Sequence, residues 1–429
     1  MKQSIALFFA CLAFCACSST TGSGSAPASD AGATSADVPE AAEDVVADVS
    51  PSLPDVGDVS EPDVAGPLDV MEEPCDGLCD EGELCFDGEC RCGWWAKELG
   101  EAGSQEFADV AVAADGGMVL VGTDEGAVWV VRLDRAGELV ASRTMTEPDH
   151  VLAGQSVALT DDGGVVVGGA AKVGQNSHGF VAKLDAALEV DWQNVVIKTG
   201  NESFNWIAEA SPGSYLALSS TAASHGGNPD FDCWIGPIDS TGQAGAGTAF
   251  GGSENDFCRD AVIVDDQVFV TGISVVTAPN KTAPLFARYD IAEETASFHQ
   301  LGSGASANRI LPWDGKLLIS ATTISDGSYP PAVSRVAPDG EQLWIEAYDA
   351  TESDGKKRLA LGLQPRDGAQ LALLFGVYEG LGLEYDGYRL LWLADDLSES
   401  QLHTVDATGV LHPGAFRALD DKRYVLAGS

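Results

Sequence analysis

The chain has 429 residues, 45% of them hydrophobic, which is enough for about two to three domains or one long repeat array around a sizeable core. Its formal net charge of −43, from 66 acids against 23 Lys and Arg, repels phosphate backbones and bare anionic lipid. Nucleic acid is therefore excluded as a partner. The charge is unevenly spread: no Lys or Arg lies between Lys2 and Arg91, while residues 18–90 carry 19 acids.

The first element is an apolar run from Ile5 to Ala16. A membrane-spanning helix needs about 20 residues, so this run is too short to cross a bilayer and reads as the core of a signal peptide over 1–16. Phe14-Cys15-Ala16-Cys17 resembles the lipobox of bacterial lipoproteins. The resemblance implies that Cys17, preceded by the small Ala16, is lipidated and becomes the mature N-terminus. Phe14 stands where that family usually has Leu. Ser18 after the cysteine implies retention in the outer membrane. The expected anchor consists of acyl chains alone, of which at least two are needed for stable attachment. The expected location is the outer membrane, on its periplasmic or surface-exposed face.

Residues 17–74 are rich in Ser, Gly, Ala and Pro, followed by Asp-Val steps such as Asp55-Val56, Asp58-Val59 and Asp69-Val70. With no aromatic residue and only negative charge, the segment cannot bury enough apolar surface to offset ordering entropy. It is predicted to be a disordered, self-repelling stalk. Residues 75–92 then hold Cys75, Cys79, Cys85, Cys90 and Cys92. In an exported chain this spacing reads as disulfides with one thiol left over, in a pairing that is not deducible. Gly82-Glu83-Leu84-Cys85 and Gly88-Glu89-Cys90-Arg91-Cys92 resemble short EGF-like or knot-like modules.

From residue 93 onward the chain is periodic. A short apolar strand ending near a small residue recurs at Val119–Gly122, Val165–Gly168, Leu216–Ser219, Phe269–Gly272, Leu317–Ser320, Leu373–Gly376 and Val425–Gly428. Its intervals are 46, 51, 53, 48, 56 and 52 residues. Most copies follow a turn such as Asp115-Gly116-Gly117 or Asp162-Gly163-Gly164, where glycine supplies positive φ cheaply. A third strand ends in turns such as Arg132-Leu133-Asp134 and Lys183-Leu184-Asp185, and a fourth follows, as at Val190-Asp191-Trp192. Four short strands per period of about 50 residues predict an all-β fold, a seven-bladed β-propeller over 93–429. These units resemble bacterial propeller repeats of the SBBP and delta-60 kind, and more distantly those of the pyrroloquinoline-quinone type. The resemblance implies a fold and no activity.

Register predicts how the ring closes. Trp95 precedes Gly122 by the same 27 residues that separate Trp192 from Ser219, so Trp94–Leu99 takes the place of a fourth strand. Ala415–Leu419 and Tyr424–Gly428 supply a first and a second strand. The last blade is thus expected to be closed by the N-terminal strand and to be incomplete: either the closing blade has three strands or the sequence is truncated from a longer one.

No catalytic, cofactor-binding or metal-binding residue is assigned. His150, His178, His225, His299, His403 and His412 are scattered, and the common hydrolase and nucleotide-binding motifs are absent. Loop acids such as Asp230, Asp232, Glu254 and Asp256 read as solvated faces. Trp95, Trp192 and Trp344 share one repeat position, which favours packing between blades over sugar stacking. Cys233 and Cys258, the only cysteines of the propeller region, are expected to pair. The expected function is that of a monomeric, lipid-anchored, non-enzymatic module that binds a protein or a glycan. The alternatives are an outer-membrane assembly or scaffold factor and a propeller enzyme of lyase, glycosidase or quinone dehydrogenase type.

Overall fold

The computed structural model describes residues 9–13, 83–86, 89–92, 95–97, 99, 105–197, 202–221, 231–276, 281–302, 306–323, 330–348, 357–366, 370–378, 385–394, 396–405, 413–419 and 423–428. All regular elements among them are β-strands. Two units separate, residues 16–91 and the remainder. Glu83–Phe86 and Glu89–Cys92 pair as a two-stranded sheet. The proposed lipidation site Cys17, the stalk, Cys75 and Cys79 lie outside the described residues, and of Cys85, Cys90 and Cys92 only the strand position is described.

The larger unit is a β-propeller. Six antiparallel sheets, each of four consecutive strands, span 105–145, 151–196, 204–250, 256–300, 306–347 and 357–405. They are blades one to six below. In each blade the middle strands are apolar runs because both faces are covered by neighbours, as in Met118–Asp124 and Ala127–Leu133. The fourth strands alternate, as in Leu139–Met145, because one face meets water. The turn into the fourth strand is built by the repeated aspartate. Asp134 Oδ1 accepts the N–H groups of Ala136 and Glu138 at 2.9 and 2.8 Å, and Asp185 and Asp239 repeat the arrangement.

The expected count of seven blades is corrected to six. The seventh copy of the second-strand motif belongs to a composite sheet in the order Pro413–Ala418, Arg423–Gly428, Phe9–Ala13, Trp95–Lys97. Its second strand repeats the motif, but two of its four strands come from Phe9–Ala13 and Trp95–Lys97, so it is not a blade of four consecutive strands. It stands between the sixth and first blades. Ala415, Val425 and Ala427 share a core with Phe107 and Val110, and Phe416, Tyr424 and Leu426 share one with Leu390 and Trp392. Trp95–Lys97 takes an outer place in it, but the third position, expected to be vacant, holds Phe9–Ala13. A five-residue apolar run satisfies a buried strand as well as it satisfies the core of a signal peptide, and the sequence pattern alone does not distinguish them.

Every inner strand carries one extra residue at the same level: Ala108, Gln155, Asn205, Arg259, Asn308, Leu361, and Gly414 of the closing sheet. These bulges explain the glycine at the end of the second strand in blades one and four. A Cβ on Gly122 would sit 1.8 Å from the Glu106 carbonyl oxygen, and one on Gly272 would sit 2.0 Å from that of Phe257.

Candidate functional site

The bulges aim the residues that follow them into the ring's central channel. All six blades and the closing sheet line a chamber of about 260 Å³ there. Its charged groups are Asp109 of blade one, Asp260 of blade four, Arg309 of blade five and Arg417 of the closing sheet. Arg417 Nη2 donates to Asp109 Oδ1 at 2.8 Å, and Arg309 Nη1 to Asp260 Oδ1 at 3.4 Å. The second oxygen of each carboxylate accepts a backbone N–H of the following blade, Val157 at 3.2 Å and Ile310 at 3.0 Å. Arg309 Nη2 also reaches the Gly414 carbonyl at 3.3 Å, which ties the fifth blade to the closing sheet. Burial pulls the Arg309 guanidinium down, but the charges of Asp260 and Asp109 outweigh it and leave the group above its ordinary value. Arg417 lies below its ordinary value, because burial dominates and Arg309 adds repulsion. Two cations and two anions thus neutralise each other inside the channel.

The bulged side chains form a second band of blade-to-blade contacts. Asn205 Nδ2 donates to the Cys258 carbonyl at 2.9 Å. The Asn308 amide donates to the Ala360 carbonyl, the Arg259 guanidinium to Asn308 Oδ1, and the Ser203 hydroxyl to Gln155 Oε1.

A larger groove of about 720 Å³ opens between the turns of the fourth and fifth blades. Its polar rim carries Asp265, Asp266, Asp290 and Asp314 against the single Lys316, and its apolar wall is made by Phe269, Pro312, Trp313 and Pro338. Asp265 and Asp314 hold φ of 53° and 46°, left-handed backbone that glycine adopts at lowest cost. Trp313 is half-buried: it leans on the core shared by the fifth and sixth blades and also lines the groove.

Cys233, on the third strand of blade three, is bonded to Cys258, on the inner strand of blade four, with 5.6 Å between Cα atoms. The same seam holds two of the loop acids read as solvated, and the structure corrects that reading. Asp232 is 2% exposed and Asp256 is fully buried. One oxygen of each lies within 2.6 Å of the point where a Cβ on Gly251 would sit. Asp256 Oδ2 accepts the Gly252 N–H at 2.5 Å, and Oδ1 has no hydrogen-bond partner. Burial, aided by the charge of Asp232, raises the Asp256 carboxyl above the usual carboxylate range. The strand-start positions of these acids place them inside the blade seam, which a loop reading of Asp230–Asp232 and Glu254–Asp256 does not reveal. Trp192 packs edge-on against Tyr215 of the next blade, with ring centroids 5.9 Å apart. The side chains of Trp95 and Trp344 lie outside the described residues. Among the described residues no three His, Cys, Asp or Glu side chains gather to hold a metal.

No known protein family matches the sequence, and no curated protein matches it. Solved structures match in shape. The chain is similar to a catalytically inactive variant of virginiamycin B lyase from Staphylococcus aureus bound to quinupristin. The identity is 10% and the TM-score 0.49, over 76% of this chain and 95% of the lyase. It is also similar to a chain of the mitotic checkpoint complex, at 10% identity and TM-score 0.46 over 75% and 86% of the two chains. A third similarity is to an apocarotenoid oxygenase variant of Synechocystis, at 14% identity and TM-score 0.43 over 71% and 72%. At these scores the likenesses carry no argument about chemistry.

Proposed function

We propose that this protein is a lipid-anchored propeller that works as a monomeric, non-enzymatic recognition module for a protein or a glycan, held at the outer membrane through Cys17, whose processing would remove residues 1–16 and with them the strand Phe9–Ala13 of the closing sheet. The observation that carries the reading is the groove between the fourth and fifth blades: it offers an aromatic wall and exposed carboxylates on two neighbouring turns. The channel supports the same reading. Each of its carboxylates spends one oxygen on a backbone N–H and the other on a guanidinium, which leaves neither as a free base. The repeats belong, on this reading, with the SBBP and delta-60 kind.

A photo-crosslinking residue at position 313, compared with one at Val140 on the outer strand of blade one, tests the site in full-length protein. Capture of one protein or glycan from 313 alone is the expected result. Equal capture from both positions would remove the groove from consideration. Labelling with an acyl-chain probe tests the anchor, and a Cys17→Ser variant labelled as strongly as wild type would refute it.

The second reading, an enzyme, draws on a different observation. Charged side chains from three blades and the closing sheet converge in one chamber. Turnover of a lyase or glycosidase substrate that is lost in Arg309→Gln, with the melting temperature held, would establish that reading in place of the first.

A further inference from the structure

We propose that the groove between the fourth and fifth blades takes a cationic protein segment, one that lays an arginine or lysine over Trp313 between Asp265, Asp266 and Asp314. The inference rests on the recognition reading above and names the occupant of the same site.

Three observations lead to it. First, the rim is chemically one-sided, with four carboxylates against the single Lys316. Asp265, Asp266 and Asp314 are exposed. Among the described residues none of these three makes an ion pair or accepts a side-chain hydrogen bond. This contrasts with the turn acids Asp134, Asp185 and Asp239, whose oxygens are spent on backbone N–H groups. Second, the aromatic wall stands beside the acids. Trp313 adjoins Asp314 in the chain, and a guanidinium or ammonium within about 6 Å of its face would gain from the ring quadrupole while the carboxylates neutralise the charge. A purely apolar segment would leave the acids unpaired, and an anionic one would be repelled.

Third, the chain's own charge excludes itself as occupant. Residues 18–90 carry 19 acids and no Lys or Arg, so the N-terminal segment is repelled from an acidic groove. A second copy, with a net charge of −43, is repelled as well. The remaining complement is a different protein with a basic stretch. Attraction between the two would speed encounter and weaken as salt rises.

The test is fluorescence anisotropy with full-length protein and a fluorescein-labelled peptide of alternating arginine and glycine. Titrations at about 20 and about 150 mM salt span long and short screening lengths. Wild type is expected to bind, with affinity falling as salt rises. The triple variant Asp265→Asn, Asp266→Asn, Asp314→Asn should lose at least tenfold in affinity, and Trp313→Ala several-fold. A control that removes three charges elsewhere, Glu125→Gln, Glu138→Gln and Glu189→Gln, should stay within twofold of wild type. If the control loses as much as the groove variant, the attraction is diffuse and the proposal falls. If the peptide fails to bind while a glycan array is positive in a Trp313-dependent manner, the cationic occupant is overturned and the recognition reading stands. If neither ligand binds, both fall. Far-ultraviolet circular dichroism and melting of each variant verify that it is folded, and the Trp313→Ala arm still decides if the triple variant is not.

Discussion

Two sets of buried aspartates in this propeller face the same problem and meet it differently. In the channel, Asp109 and Asp260 each have a guanidinium on one oxygen and a backbone N–H on the other. At the seam of blades three and four, Asp232 and Asp256 approach one another, and the Asp256 carboxyl is pushed up by burial and by its neighbour's charge. A buried carboxylate with a counter-charge becomes a cross-link. One whose burial outweighs its contacts, as at Asp256, becomes a group that prefers its proton.

The largest expected effect lies on the paired side. Arg417→Met leaves Asp109, whose side chain is 8% exposed, without its cation. The loss should be about 3 kcal/mol, the low end for breaking a buried pair, because Arg417 keeps some contact with water. Urea denaturation measures it, and a loss below about 0.5 kcal/mol would mean that the pair is not a cross-link. A comparable change comes from the seam. Removing the disulfide with Cys233→Ala and Cys258→Ala opens a loop closed over 25 residues of separation. The chain-entropy relation gives roughly 3 kcal/mol for such a loop. Peptide mapping without reduction should recover the linked pair from wild type, and two free thiols there would contradict the bond.

Smaller effects sharpen the contrast through their sign with pH. The Asp256 carboxyl is raised, so the stability it contributes is fully present below the unfolded value of 3.8 and is lost as pH rises through its folded value. Asp256→Asn should therefore match or exceed wild type in melting temperature at pH 7 and lose its advantage in acid. A drop of several degrees at pH 7 would show an ionised, well-held Asp256 instead. Asp162 is the opposite case. The Thr160 hydroxyl, the Gly164 N–H and Lys183 lower it to about 2. Its contribution is present above 3.8 and disappears as pH falls toward about 2. Its carboxylate is largely solvent-exposed, so Asp162→Asn should give the smallest shift of the series, detectable near neutrality and absent near pH 2. A constant difference across that range would assign the effect to packing.

The propeller was legible because its repeat is local. An aspartate that folds back on its own backbone, a small residue opposite a bulge and an apolar run between them recur in most of the 50-residue units. The blade count was not, because the closing sheet is assembled from strands near both ends of the chain, and its second-strand motif imitates that of one more blade. The channel charges were hidden for a related reason. Asp109, Asp260, Arg309 and Arg417 stand in four separate sheets and meet only across the ring. Their signal was a charge set inside an otherwise apolar inner strand, as in Asp109-Val110-Ala111-Val112 or Asp260-Ala261-Val262-Ile263. The groove carried a fainter trace: Trp313 directly before the Asp314-Gly315 turn, where the other turns follow smaller residues.

The bond between Arg417 and Asp109 spans 308 positions of the chain. Translation at about 5–20 residues per second makes that separation an interval of roughly 15–60 seconds, during which the first blade exists without its neighbour. Throughout that interval the face bearing Phe107 and Val110, later covered by Ala415 and Val425, is open to other chains. High contact order slows the final step as well, since the ring gains its last cross-links only when its two ends meet. A circular permutant of the propeller opened between blades three and four, with Ser429 joined to the segment before Trp95, would make the first and closing sheets neighbours in synthesis and should raise the yield of folded protein in a cell.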